Sequence, residues 1–394
     1  YSIYPHLDRI LLDFIGNIFS LKVKGEKERD FIYRFQQLTG PVMAKGAEDT
    51  AFYCYNRLIG LNEVGGNPGS FGISTDALHK FMSELSSLCP HSMISLNTHD
   101  TKRSSDVRCR LAAISEYTDE WSSAVVNWME SAERYRVGEM PDRNMEYFIF
   151  QTLIGAWPIA RDRLIAYLEK AARENKEFTS WLNPNDKYEK TLFEFADKIL
   201  SDEEICREID DFVELISPAA WHKTLAQTLL LMTAPGVPDI YQGTELWDLS
   251  LVDPDNRRPV DYEKRAKLLA EAEQSSWEQA LKKLGTGFTK LWIINKCLKF
   301  RKDHREIFNT PSNYSPLSTK GPGSSRLAAF TRGERLAVVI PQIHGKVEKQ
   351  KNEAKICLPS GKWTNLFTMD IIEGGWQKTE ALVEKFPLSL LYRD

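Results

Sequence analysis

The chain has only six cysteines in 394 residues, and none forms a CxxC pair, so no zinc site or redox motif is indicated. They are scattered at Cys54, Cys89, Cys109, Cys206, Cys297 and Cys357, which suits a reducing, cytoplasmic compartment. No apolar run approaches the ~18 residues of a membrane span. Nothing near Tyr1 has the charged, apolar, small-residue order of a signal peptide, and there is no initiator methionine. Both are expected of numbering that begins inside a longer protein. Charge of one sign is also lacking: the formal net charge is −4 and the pI about 6.1, with positive and negative residues interleaved. A nucleic-acid footprint needs a basic stripe, and an anionic membrane would favour one too, so neither partner is expected. Internal repeats and low-complexity segments are missing as well.

What is present is a hydrophobic content of 42%, enough for a large core. At roughly 100–200 residues per domain, two or three domains are expected. Up to about Asn97, helical patterns alternate with short apolar runs. Phe31, Ile32, Phe35 and Leu38 fall at helical spacing. GPVMAKG (40–46) reads as a short strand between glycines, and EDTAFYCYNRLIG as a helix ending at Gly60. NEVGGNPGSFG (62–72) is a loop. The stretch from Ser74 opens with Ser/Thr/Asp capping candidates and is amphipathic. HSMISLN then reads as a buried strand.

Residues 101–219 read as almost wholly helical, far more than one βα connection requires, and so as a helical insertion. Helix, loop and short strand return over 220–300. From 301 to 394, short β-rich runs separated by turns indicate an antiparallel sandwich. Met93 to Leu96 and Asp239 to Tyr241 are expected to be neighbouring parallel strands, with the loops after them facing one cleft.

SLNTHDTKR (95–103) sets His99 beside Asp100 where a strand ends and a helix begins. As a local pattern, Asp ahead of a helix is an N-cap. In an alternating α/β chain, a carboxylate at the end of a buried strand is also where barrel enzymes keep catalytic groups. A second polar loop carries Tyr241 and Glu245, followed by DPDNRRP (253–259) with Asp255 and Arg258. That stretch is either a solvated turn with internal salt bridges or a site for hydroxyls and carboxylates. Trp157, Trp221, Tyr241 and Trp247 stand beside such groups and could serve as sugar platforms, although most aromatics in any chain are core.

Three long blocks carry a resemblance: GPVMAKGAEDTAFYCYNRLIGLNEVGG, NTHDTKRSSDVRCRLAAISE and APGVPDIYQGTELWDLSLVDPDNRRPVDY. In that order they resemble the maltooligosyltrehalose synthases, a family within the α-amylase superfamily. The resemblance implies the C-terminal part of a (β/α)8 barrel over 1–100 and 220–300, a helical insertion over 101–219, and a β-sandwich over 301–394. It implies conversion of the reducing-end α-1,4 linkage of a maltooligosaccharide to an α,α-1,1 linkage, without metal or organic cofactor. Asp100 would then stabilise the transition state and His99 would bind a sugar hydroxyl. Lys45, Glu48, Lys102, Arg103, Tyr241, Glu245, Asp255 and Arg258 would be the polar groups of the sugar pocket. The superfamily's nucleophile and acid/base belong to strands before the first matched block, and no RxDH-like motif precedes Thr98. An upstream segment of the same enzyme is therefore an expected partner. An α-amylase-like hydrolase and a non-catalytic oligosaccharide-binding fragment remain the alternatives.

Overall fold

The computed structural model describes residues 8–342 and 354–394. The chain starts with α1 (Arg9–Phe19) and α2 (Glu26–Met43), which runs into a π-helical turn at Ala44–Ala51 and the short α3 (Phe52–Cys54). After a loop come α4 (Thr75–Leu88) and β1 (Met93–Ser95). The GPVMAKG stretch is thus helical, not a strand. Gly40 and Gly46 have open space around them and no positive φ, so neither is there to make a turn. Extending an existing helix adds a hydrogen bond per residue without a new nucleus. Ser74 caps α4 as expected, its hydroxyl accepting from the Ala77 N–H at 3.1 Å.

Then follow α5 (Ser105–Ala113), α6 (Thr118–Ala132), α7 (Arg143–Ala156), α8 (Arg161–Asn175), α9 (Asp186–Ser201) and α10 (Glu203–Thr233). They pack around an aromatic-rich core that includes Trp128, Phe148, Phe150, Phe195 and Ile216. The helix α10 has 31 residues and passes through 219/220 without interruption. No break in the backbone marks that expected boundary.

The chain next forms β2 (Val237–Asp239), α11 (Tyr262–Gln274), α12 (Trp277–Lys282), α13 (Phe288–Asp303) and α14 (Arg305–Asn309). The parallel pairing of β1 with β2 is as expected, in the register Met93↔Val237, Ile94↔Pro238, Ser95↔Asp239. The second strand lies nearer the N-terminus than the pattern suggested. Gly236, with φ +117°, permits the approach, because a Cβ there would sit 2.7 Å from the Ser92 carbonyl. Parallel sheets usually have both faces covered. Here Met93 is 75% exposed, so the reading of a buried strand does not hold for this pair.

The last region holds β3 (Tyr314–Pro316), β4 (Thr319–Lys320), β5 (Leu327–Arg332), β6 (Leu336–Pro341), β7 (Lys355–Asn365), β8 (Ile371–Lys378), α15 (Thr379–Val383) and β9 (Ser389–Tyr392). It is antiparallel, as expected. The described strands join in one seven-stranded sheet, order β3-β5-β6-β9-β7-β4 with β8 on β7, where two packed sheets were expected. The long β7 carries a register shift between Leu358 and Lys362 and pairs with β4, β8 and β9, so the sheet curls over its own core. β5 and β6 are buried at every position, which explains their continuous apolar runs. Phe330, Val338 and Leu390 pack against Trp292 of α13 and Leu229 of α10, while Ile356, Trp363 and Leu391 form the core on the other side.

One buried ion pair ties these regions together. Lys290 Nζ of α13 lies 3.0 and 2.9 Å from the two carboxylate oxygens of Asp106 in α5, with both side chains 4% exposed. Lys290 also donates to the Leu246 carbonyl at 3.2 Å, and Asp106 accepts the Asp248 N–H at 2.8 Å. Breaking one side strands a buried charge. Lys290→Met is therefore expected to lower the unfolding free energy by about 3–5 kcal/mol, with a smaller loss in the Asp106→Leu/Lys290→Met double variant. Denaturant titration reads both numbers, and a single-variant loss below about 1 kcal/mol would contradict this account of the pair.

Candidate active site

β1 and β2 run parallel, so the loops after them leave from the same end of the pair. The first loop carries Thr98, His99 and Asp100, all exposed. Asp100 does not cap the following helix. That role falls to Ser104, whose hydroxyl accepts from the Val107 N–H at 3.3 Å. The turn is local: the Thr98 hydroxyl accepts the Asp100 N–H at 3.2 Å, and the Thr98 carbonyl accepts from the Thr101 hydroxyl at 2.8 Å.

Beyond the turn the backbone is pinned by a residue that the sequence pattern did not single out. The buried Glu63 carboxylate accepts the N–H groups of Lys102 at 2.8 Å and Arg103 at 3.2 Å. Asn97, at the start of the loop, accepts from the Ser105 N–H at 2.6 Å and donates to its hydroxyl at 3.0 Å. The second loop closes on the first. Ser104 N–H donates to the Ser250 carbonyl at 2.9 Å, the Ser104 hydroxyl to the Asp248 carbonyl at 2.5 Å, and Arg103 forms a β-bridge with Leu251. The two stretches are thus joined directly through residues 103–104 and 248–251, downstream of both His99 and Tyr241–Glu245.

The residues expected to line a pocket divide into two sets. Lys45 and Glu48 lie on the π-helical turn; Lys45 is exposed, and Glu48 accepts the Gly65 N–H at 3.0 Å. Asp49, beside them, bonds both Lys45 and the buried Lys102, the latter at 2.8 Å. Burial alone would raise the Asp49 carboxyl, but the two lysines hold it below the usual carboxylate range. Asp49 in turn raises Lys45, first through the hydrogen bond and then through its charge, and the Asp100 charge adds to the effect. Asp49 thus links the exposed Lys45 to the buried Lys102.

Arg103 has no surface to offer. It is 1% exposed, and its guanidinium donates to the Ile59 carbonyl at 2.9 Å and the Tyr167 hydroxyl at 2.9 Å. Asp255 is similarly committed, accepting from Nε and Nη2 of Arg163, each at 2.8 Å, and from the Leu251 N–H at 2.8 Å. Burial opposes its ionisation, but these bonds and the charges of Arg163 and Arg258 leave the carboxyl below its ordinary range. These two residues brace the site instead of lining it. Glu245 is held by Arg265 at 2.9 Å, and Arg258, partly exposed, donates to the Ser250 hydroxyl at 3.1 Å. Tyr241 is half-buried. Asp248 shows the opposite electrostatics: burial, with Asp106 nearby, raises its carboxyl despite the hydroxyl of Ser250.

Among the aromatics considered as sugar platforms, Trp221 lies inside α10 and not in a loop. Trp247 donates to the Leu284 carbonyl at 2.9 Å and Trp157 to Asp210 at 2.7 Å. Among the described residues no group of three or more His, Cys, Asp or Glu side chains could hold a metal ion, and no helix is long and apolar enough to cross a membrane.

No protein-family model matches the chain. A curated Mycobacterium tuberculosis protein, provisionally named maltooligosyl trehalose synthase, is 36% identical over 369 residues, 92% of this chain and 45% of that protein. The solved maltooligosyltrehalose synthase of Arthrobacter ramosus aligns with a TM-score of 0.82 at 33% identity, covering 92% of this chain and 46% of that one. A structure described as DSM5389 glycosyltrehalose synthase gives a TM-score of 0.78 at 32% identity, over 95% of this chain and 47% of its own. The chain spans about half the length of the relatives it matches. By sequence and by fold the chain is similar to part of the maltooligosyl trehalose synthases.

Proposed function

We propose that the chain is the C-terminal portion of an intramolecular transglycosylase that converts the reducing-end α-1,4 linkage of a maltooligosaccharide to an α,α-1,1 linkage. The observation that carries this reading is the exposed Thr98–Asp100 turn, braced on both sides at the carboxyl end of a parallel strand. Retaining glycoside chemistry develops positive charge at the anomeric carbon and uses a nucleophile and an acid/base about 5–5.5 Å apart. Asp100 acts as a third carboxylate that stabilises this charge, and His99 donates to a neighbouring hydroxyl. The released glucose must be retained, turned, and made to attack through its anomeric hydroxyl before water does, so the net reaction consumes no water. That requires a closed, gripping pocket. Lys45, Glu48 and Arg258 are exposed or partly exposed polar groups that suit such a grip.

The nucleophile and acid/base belong, in this proposal, to an upstream segment of a (β/α)8 barrel. Two observations favour it: β1 and β2 form a parallel pair with apolar residues open to solvent, and the relatives are about twice as long. The six cysteines are unpaired, which suits a cytoplasmic setting.

Two outcomes follow. In the whole synthase carrying this chain, Asp100→Asn should lower turnover about a hundredfold or more with the fold intact, because a carboxamide keeps the shape but not the charge. Retention of more than about a tenth of wild-type turnover, a barrier change of only ~1.4 kcal/mol, would remove Asp100 from the mechanism. Residues 1–394 alone, incubated with maltopentaose, should give neither the trehalose-type linkage nor glucose until the upstream segment is supplied. Turnover by the isolated chain would mean that it contains a catalytic pair of its own, and glucose alone from the reassembled enzyme would make it a hydrolase.

A further inference from the structure

The Thr98–Asp100 turn rests on one side chain from a distant loop. Asn256 Nδ2 donates to the His99 carbonyl oxygen at 2.9 Å and reaches that of Thr98 at 3.4 Å. The His99 carbonyl belongs to the peptide group that joins His99 to Asp100. That group is planar and rigid, so holding its oxygen fixes the direction in which the Asp100 backbone departs.

The amide has one workable orientation. Its Oδ1 is buried and accepts no hydrogen bond among the described residues. Exchanging oxygen and nitrogen would set an oxygen against two carbonyl oxygens and bury two N–H donors in the unpaired position. A buried acceptor without a partner costs stability, and here the requirement on the nitrogen side keeps it in place.

Asn256 is itself firmly mounted. Its neighbour Asp255 takes both nitrogens of the Arg163 fork from α8, and Lys170 of α8 donates to the Asp253 carbonyl at 2.9 Å. Thus α8 holds the 253–258 loop, the loop holds Asn256, and Asn256 holds the His99–Asp100 peptide. Thr98 and His99 are exposed, so water would satisfy their carbonyls if the amide were removed. The contact is therefore of small value to folding and of large value to geometry.

We propose that Asn256 is a positioning residue for Asp100, acting through the His99 carbonyl and anchored to the helical body by Arg163. This rests on the catalytic role given to Asp100 above. The test uses the whole synthase carrying this chain, with Asn256→Ala and the near-isosteric Asn256→Leu, each alone and combined with Asp100→Asn. Alone, each should lower kcat about 10- to 100-fold, the scale of a small misplacement of a reacting group. The melting temperature should move by no more than a few degrees. In the Asp100→Asn background the same substitutions should change kcat by less than about twofold, since the group being positioned is gone. Equal losses in both backgrounds overturn the proposal, as does turnover within about twofold of wild type for both single variants. A melting temperature lowered by more than about 10 °C in both variants would assign Asn256 to stability instead. If Asp100→Asn itself keeps its turnover, the role of Asp100 fails and the positioning role with it. If Asp100→Asn is slow and the Asn256 variants are fast, only the positioning role fails.

Discussion

A single buried charge pair, Asp106 with Lys290, is the constraint on which the arrangement depends. It lies where three parts of the chain meet: the start of α5, the loop after β2, and α13 under the antiparallel sheet. Two ions removed from water repel any geometry that leaves them unpaired. The pair therefore acts less as a source of stability than as a specification of register. Given Lys290 at Asp106, the Asp248 backbone must lie beside α5, and Ser104 then finds the Asp248 and Ser250 carbonyls. The two loops that end the parallel strands are joined as a result.

Around that joint, most of the polar side chains serve the backbone of the site. Glu63, Arg103, Lys102 and Asp255 are buried or nearly so and are matched by designated partners. His99 and Asp100 are left facing outward. The fixed partners hold the outward-facing turn in one place, the preorganisation on which the role proposed for Asp100 depends. The carboxyls of Asp255 and Asp248 are pushed in opposite directions because one faces two arginines and the other is buried near a second carboxylate.

The sequence made parts of this legible for definite reasons. The strand before SLNTHD and its parallel partner could be read because short apolar runs end in polar loops on either side of a long helical stretch. The cap at Ser74 and the β-rich tail were legible from local chemistry. GPVMAKG was misread because glycines punctuate strands and also sit passively in helices, and only the continuing helix decides. The resemblance implied Arg103 and Asp255 as sugar-pocket groups because a matched block fixes the type and place of a residue but not the direction it faces. Glu63 carried no local signal, and Asn256 only that of lying within DPDNRRP. Their partners are about 40 and 157 residues away, and a pairing at that distance exists only once the chain has folded.

The unbroken α10 has a mechanical consequence. At ~1.5 Å per residue its 31 residues form a rod of roughly 46 Å. Its first half is sunk in the helical core through Ile209, Phe212 and Ile216, and its second half in the other core through Leu225, Leu229 and Met232. Three residues after it ends, at Gly236, the chain is already in contact with β1. Pro218 lies between the two gripped halves and has no N–H to bond one turn back, so the rod carries its weakest point where it passes from one core to the other.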